Sequence, residues 1–430
     1  MHFRRVTALR FVSNIVRLIS SCGRLPGLLA LAVAWSSSAG AQLPVSRADA
    51  MRAAVTAGTR FALARADTSA ARGRLITARV WPNPSLAAGY SKSAPRQHVE
   101  LEIPFDAPWS RRPRVRAAEA LLRAARLRLL SERDAVLVEV DTTYTTALAA
   151  EAHFRLSQQT LRDADSVRVM TARRRDEGDA SDLDLDLATV VAGQQSNTAS
   201  NDSLTFASVM LTLQTLIGIP ADSVTIVLAD TLTAEPAARQ LAATPVAVAP
   251  AAALRPPSVL AAEASLRAAE LTLASERRGV FELPALQIGM EHDDPSGDEP
   301  GILPVVGIVL PLPLFNRRRG SIAEAAAERD RARIELAAAR LEVQLRYAEG
   351  RRERDALRVR VARDSDLVVR AQRVATRSLT AYREGAAALP AVLEARRSAR
   401  EVQSQYIDDL AALQIVEAEL RALERVVSTP

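Results

Sequence analysis

The stretch His98-Val99-Glu100-Leu101-Glu102-Ile103 decides how this chain reads. Polar and apolar residues alternate strictly along it, which puts Val99, Leu101 and Ile103 on one face of a strand and His98, Glu100 and Glu102 on the other. Leu286, Ile288 and Met290 alternate with Gln287, Gly289 and Glu291 in the same way, and Leu86 to Tyr90 and Ile302 to Leu310 give weaker versions. Four strands of about ten residues result, a length that suits a tilted strand crossing a bilayer. His98, Glu100, Glu102, Gln287 and Glu291 are then the candidates for the wet interior face. Four strands cannot close a barrel, because the smallest membrane barrels have about eight, so a spanning sheet demands several chains. The polar connections Lys92 to Arg96 and Asp293 to Gly301 would be its outward loops. A small soluble sheet capping a helical bundle is the competing reading of the alternation.

Outward from the first strand pair, Arg111 to Glu177 contains no glycine and one proline, Pro113, near its start, where a helix tolerates it. About 65 residues of helix would be about 100 Å long, more than a globular domain accommodates, so helical partners must line it. Leu122, Leu129 and Val136 repeat every seven residues, as do Leu130, Leu137 and Tyr144 on an adjacent line. Two apolar seams suit a stave with a neighbour on each side. Val361, Val368, Ala375 and Tyr382 repeat the device further on.

The layout occurs twice. Pro84, Leu86 and Gly89 recur as Pro284, Leu286 and Gly289; Ile103-Pro104-Phe105 and Trp109-Ser110-Arg111-Arg112 recur as Leu310-Pro311-Leu312 and Phe315-Asn316-Arg317-Arg318; Glu177-Gly178 recurs as Glu384-Gly385. Each copy reads helix, two strands, very long helix, turn, helix, the opening helix of the first copy being Ala48 to Val80. Residues 42–220 form the first repeat, with strands near 85–105, and 257–430 the second, with strands near 284–311. Between them, residues 221–256 are an Ala/Pro-rich linker with one β-prone patch at Val224 to Leu228. The fold class is mainly α with a membrane β-barrel: long coiled-coil helices plus four β-strands per protomer.

Residues 1–41 read as an export signal, with Arg4, Arg5, Arg10, Arg17 and Arg24, an apolar run from Leu25 to Trp35, and Ala39-Gly40-Ala41 as the cleavage site. The 430 residues carry 56 Lys+Arg against 50 Asp+Glu, so removing those five arginines leaves a net charge of +1. A single lysine, Lys92, and no basic surplus in the mature chain argue against nucleic acid as a partner. The sole cysteine, Cys22, precedes the apolar run instead of following it, which argues against lipidation. No later stretch has the roughly 18 to 20 apolar residues of a membrane-spanning helix, so any span must be made of strands. His2, His98, His153 and His292 are isolated, and neither a phosphate loop nor a nucleophile elbow occurs, so the chain reads as a non-enzyme with no cofactor and no metal site.

The ordered set of motifs resembles the TolC-like outer-membrane efflux family from about Ser46 to Leu423. Its carriers are Pro84-Ser85-Leu86, the run Leu310-Pro311-Leu312-Pro313-Leu314-Phe315-Asn316-Arg317, and Tyr382-Arg383-Glu384-Gly385. The resemblance implies a homotrimer whose protomers each give four strands to one barrel in outer-membrane lipid, with helices forming a periplasmic tunnel that tapers at the helix-turn-helix tips. It further implies a passive conduit for small toxic solutes such as drugs or metal ions. The partners implied are a periplasmic adaptor (membrane fusion protein) and an inner-membrane pump of the resistance-nodulation-division type. Carried over, the tips are Gly178 to Ala188, with Asp182, and Gly385 to Ala395. Two acidic positions of the family's aperture fall on Ala391 and Glu394, so one carboxylate ring is missing and one kept. A family Asp that helps hold the tips shut falls on Asp184 and a family Tyr on Tyr382, while the matching Arg position is Ala387. A periplasmic adaptor or structural coiled coil without a barrel is the alternative.

Overall fold

The computed structural model describes residues 43–92, 97–220, 226–233, 254–280, 283–292 and 301–425. The signal and its cleavage site, most of both outward loops and much of the linker lie outside the described residues.

A short strand β1 (Leu43–Val45) leads into α1 (Arg47–Ala57), which Ser46 and Asp49 start with a reciprocal capping box. The opening helix expected from Ala48 to Val80 is two helices, α1 and α2 (Thr59–Arg79), because the chain turns extended at Gly58 (φ −64°, ψ 132°). A Cβ on Gly58 would lie 2.2 Å from the Ala54 carbonyl oxygen, so the break takes glycine.

Strands β2 (Ser85–Tyr90) and β3 (Gln97–Pro104) follow, then α3 (Pro108–Asp176) and α4 (Asp182–Leu216). After β4 (Ile226–Leu228) the second half repeats the order with α5 (Pro257–Arg278), β5 (Ala285–His292), β6 (Ile302–Val309), α6 (Arg319–Arg383) and α7 (Leu389–Glu424). The main sheet is antiparallel in the order β2-β3-β5-β6, so the centre joins one strand from each half. Its strands have six to eight residues, shorter than the ten expected. Pro84 stands before β2 and Pro104 is the last residue of β3, past which the Phe105 amide still bonds to the Pro284 carbonyl at 2.7 Å.

The first long helix has 69 residues and tolerates Pro113 in its second turn. Both of its apolar seams are covered: Leu122, Val136 and Tyr144 are buried, and Leu129, Leu130 and Leu137 half-buried. They are shared among α2, α4, α5 and α7, as a stave with two flanks requires. Along α6, Val361, Ala375 and Tyr382 are buried against its neighbours. No described helix is long and apolar enough to cross a membrane.

Midway along the hairpins β1 pairs in parallel with β4, Val45 opposite Leu228, over a core that includes Val140, Tyr144 and Leu213. The buried Tyr144 hydroxyl donates to the Val45 carbonyl (2.9 Å) and lies 2.8 Å from the Asp230 carboxylate. Arg47 pairs with buried Asp141 and reaches Gln414 at 3.1 Å, tying the start of the described chain to α3 and α7.

Candidate functional site

The sheet sorts its side chains by chemistry. The register sets His98 opposite Glu291, Glu100 opposite Gly289 and Glu102 opposite Gln287, so all five residues expected to be wet share one face. The other face carries Val99 beside Met290, Leu101 beside Ile288, and Ile103 beside Leu286, extended by Val306 and Ile308 on β6. On the polar face β6 contributes Leu303, Val305 and Val309, so that face is wet over β3 and β5 and greasier toward the β6 edge. Glycines make room on it: a Cβ on Gly89 would strike the His98 ring at 2.3 Å, and one on Gly307 would stand 3.0 Å from Gln287 Oε1. Among the described residues β2 and β6 each have a partner on one side only.

At the far end of the long helices both hairpin turns have one construction. Gly178 (φ +83°) and Gly385 (φ +76°) are left-handed, and the following amides, of Asp179 and Ala386, bond back to the carbonyls of Arg174 and Ala381 at 2.7 and 2.8 Å. This is the Schellman stop, which needs a residue without a Cβ penalty at that φ. Asp184 is engaged at home: its carboxylate accepts from the Ser181 amide (3.2 Å) and hydroxyl (2.8 Å), and Ser181 Oγ accepts from the Asp184 amide (3.1 Å), a second capping box. Asp182 is exposed, 3.5 Å from Arg175.

Tyr382 is buried between the two tips with Val167, Ala188, Leu389 and Val392. Two first-half residues that sequence reasoning did not single out hold it. Thr171 Oγ1 lies 3.1 Å from the Tyr382 hydroxyl, and the Arg174 guanidinium donates to the Tyr382 carbonyl at 2.6 Å while covering the ring, 4.7 Å from its centroid. Ala387, half-buried, carries no charge for such a role. Ala391 and Glu394 are both exposed, one turn apart at the start of α7; the Arg397 pKa is raised chiefly by its hydrogen bond to Glu401 (2.9 Å) and the Glu401 charge, with a smaller contribution from Glu394.

Above the tips α7 is stitched to the first hairpin by Arg396 to Asp163 (3.4 Å), Arg400 to Gln195 (2.9 Å) and His153 to Asp408 (2.8 Å). Burial lowers the Arg396 pKa, opposed by Asp163 and assisted by Arg383. A groove of about 750 Å³ runs between the hairpins here, lined by Val167, Leu187, Thr376, Leu393 and Arg396 among others. Among the described residues no cluster of His, Asp and Glu is arranged to hold a metal ion.

The family model described as outer membrane efflux protein matches residues 59–219. The cobalt-zinc-cadmium resistance protein CzcC of Cupriavidus metallidurans is 24% identical over 340 residues, covering 72% of this chain and 75% of that protein. The pyoverdine export outer membrane protein OpmQ of Pseudomonas putida is 28% identical over 294 residues, covering 66% of this chain and 60% of that one. In fold, the outer membrane protein VceC of Vibrio cholerae superposes with a TM-score of 0.68 at 17% identity, over 88% of this chain and 96% of that chain. Over residues 59–219 the chain is similar to the outer membrane efflux protein family, and its fold is that of the solved outer-membrane protein.

The matched family and the named relatives are outer-membrane efflux and export proteins, and the chain shares the fold of the solved one. Proteins of the family work with a periplasmic adaptor and an inner-membrane pump, and the family and its solved relatives are channels. In this chain the tip contact that joins the halves runs through Thr171, Arg174 and Tyr382. Arg174 brings a cation to a C-terminal carbonyl of α6 that also accepts the Gly385 amide at 3.1 Å, the charge a helix end favours. The arginine run Arg173-Arg174-Arg175 in the last turn of α3 is the sequence signal that could have pointed there.

Proposed function

We propose that three copies close their sheets into one barrel and act as a passive, non-enzymatic conduit for small toxic solutes. The inner-membrane pump would be of the resistance-nodulation-division type, and the solutes in the relatives' names, cobalt, zinc and cadmium in one and pyoverdine in the other, fit a conduit of this kind. One observation carries the reading: a four-stranded sheet, apolar on one face and polar over β3 and β5 on the other, has no further strand at either edge among the described residues and therefore needs sister strands. A rod-like adaptor has no use for an exposed apolar row such as Leu86, Ile288, Val306 and Ile308.

The tips form the gate in this proposal. Glu394 supplies its carboxylate ring, weakened by the absence of an acid at Ala391, while Gly178 and Gly385 set the turns and Asp182 faces solvent. Arg174 and Thr171 hold the tip of α6 to the first hairpin. Like charges gathered at a narrow neck attract divalent cations. Purified mature protein in planar bilayers should give discrete ohmic channels, with larger conductance for Arg174→Ala and weaker divalent block for Glu394→Ala. Absence of any conductance from detergent-extracted protein would end the conduit reading; identical block in Glu394→Ala would remove only the gate assignment.

A further inference from the structure

We propose that the run Leu310-Pro311-Leu312-Pro313-Leu314-Phe315 is a lipid-docking lip, seated in the periplasm-facing leaflet of the outer membrane and held there by arginines on glycerophospholipid phosphates. The proposal rests on the reading of the sheet as a membrane wall. Phe315 is fully exposed (100%), and Leu310, Leu312 and Leu314 are 61–66% exposed. The row continues the lipid-facing side of β6: Val306 and Ile308 point outward, and with the chain extended the same parity brings Leu310 and Leu312 to that side. Pro311 and Pro313 hold the residues before them extended and offer no N–H, so the run does not recruit a further strand and its leucines stay at the surface.

The end of the run is shaped. The Leu314 amide bonds to the Leu312 carbonyl at 2.8 Å, a tight turn, and Asn316 accepts the Arg318 amide at 3.0 Å, fixing Arg318 in a left-handed conformation (φ +51°). The Arg318 side chain is spent on the end of α5, at 3.3 Å from the Gly279 carbonyl and 3.4 Å from Glu276. Arg317 and Arg319 beside it are exposed and make no ion pair among the described residues. Two free guanidinium groups next to an apolar row complement a phosphate layer above acyl chains. The first half matches this level with exposed Trp81, Phe105 and Trp109, the aromatic belt expected where a bilayer meets water.

The test uses the full mature chain in phosphatidylethanolamine/phosphatidylglycerol vesicles, on a Trp81→Phe, Trp109→Phe background, with tryptophan placed by Phe315→Trp or Val306→Trp. Acyl chains brominated near the headgroup should quench both probes strongly relative to unbrominated lipid. Quenching of Val306→Trp with an unquenched Phe315→Trp overturns the lip, whether a second copy or water covers it, and leaves the barrel standing. Loss of both signals sinks the membrane wall itself. Should the double-Phe background fail to fold, a nitroxide on Phe315→Cys in otherwise native chain gives the same decision. Access to oxygen without access to a water-soluble nickel chelate supports the lip, and chelate access overturns it. Arg317→Glu with Arg319→Glu should reduce the phosphatidylglycerol dependence of the Phe315→Trp quenching, and an unchanged dependence removes the arginines from the proposal.

Discussion

The two halves of the chain share a backbone plan and hold it with different chemistry. Midway along the first half, the buried Tyr144 hydroxyl ties β1 and Asp230 to α3; in the second, Tyr347 is buried but its hydroxyl makes no hydrogen bond among the described residues. Across the second hairpin, Arg360 pairs bidentately with buried Asp409; at the corresponding places of the first hairpin stand His153 and Asp202, and His153 turns instead to Asp408 of the other half. Where sheet meets helix, Arg111 and Arg114 share buried Asp106 and cap the end of α2, whereas among the described residues Arg318 caps α5. Duplicated helices set where the walls stand, and the unduplicated polar contacts decide which seams are tied together.

Removing the tie at Tyr144 should have the largest effect. Tyr144→Ala should lower unfolding stability by about 4 kcal/mol, since a fully buried aromatic leaves a cavity. Tyr144→Phe should cost about 2 kcal/mol for the lost hydroxyl bonds, against less than about 0.5 kcal/mol for Tyr347→Phe, by denaturant titration in detergent. Burial, and then Asp230, raise the Tyr144 pKa. Its contribution is therefore present below the unfolded value of about 10 and lost as pH rises through the folded value, so alkaline destabilisation should be weaker in Tyr144→Phe.

The strand glycines give the next contrast. A Cβ on Gly289 would meet the Val99 carbonyl oxygen, backbone that cannot swing aside, at 2.9 Å, whereas at Gly89 it meets only the His98 side chain. Gly289→Ala should cost about 2 kcal/mol and Gly89→Ala much less, read as thermal melting of strand signal. At the tips the halves should behave alike: Gly178→Ala and Gly385→Ala each place a Cβ at positive φ and should each cost about 1 kcal/mol.

The smallest effect concerns acid. Burial raises the Asp409 pKa, but the hydrogen bonds from Arg360 and Gln405 and the Arg360 charge outweigh it, and the net shift is downward. Its contribution is present above the unfolded value of about 4 and lost as pH falls through the folded value. Asp409→Asn should flatten the acid limb of the stability profile, and Asp202→Asn, its counterpart, should leave that limb in place.

The strand faces and the long helices were legible because each is written in a local period: alternation in His98 to Ile103, and sevenfold apolar lines with no glycine in Arg111 to Glu177. The pairing of β1 with β4, far apart in sequence, and the Arg174 contact to Tyr382 were not, because nothing in either segment alone encodes the partner. The break at Gly58 was obscured by helix-forming residues on both sides. Asp184 shows a further cause: Ser181 and Asp184 carry the spacing of a capping box, a local use of the carboxylate that family correspondence passed over.

Electron cryomicroscopy of the detergent-extracted full chain tests the central claim most directly. Three copies should surround one axis, with β6 of each copy hydrogen-bonded to β2 of the next and His98, Glu100 and Glu102 lining the lumen. A single chain whose sheet edges end in solvent or under its own loops would contradict it.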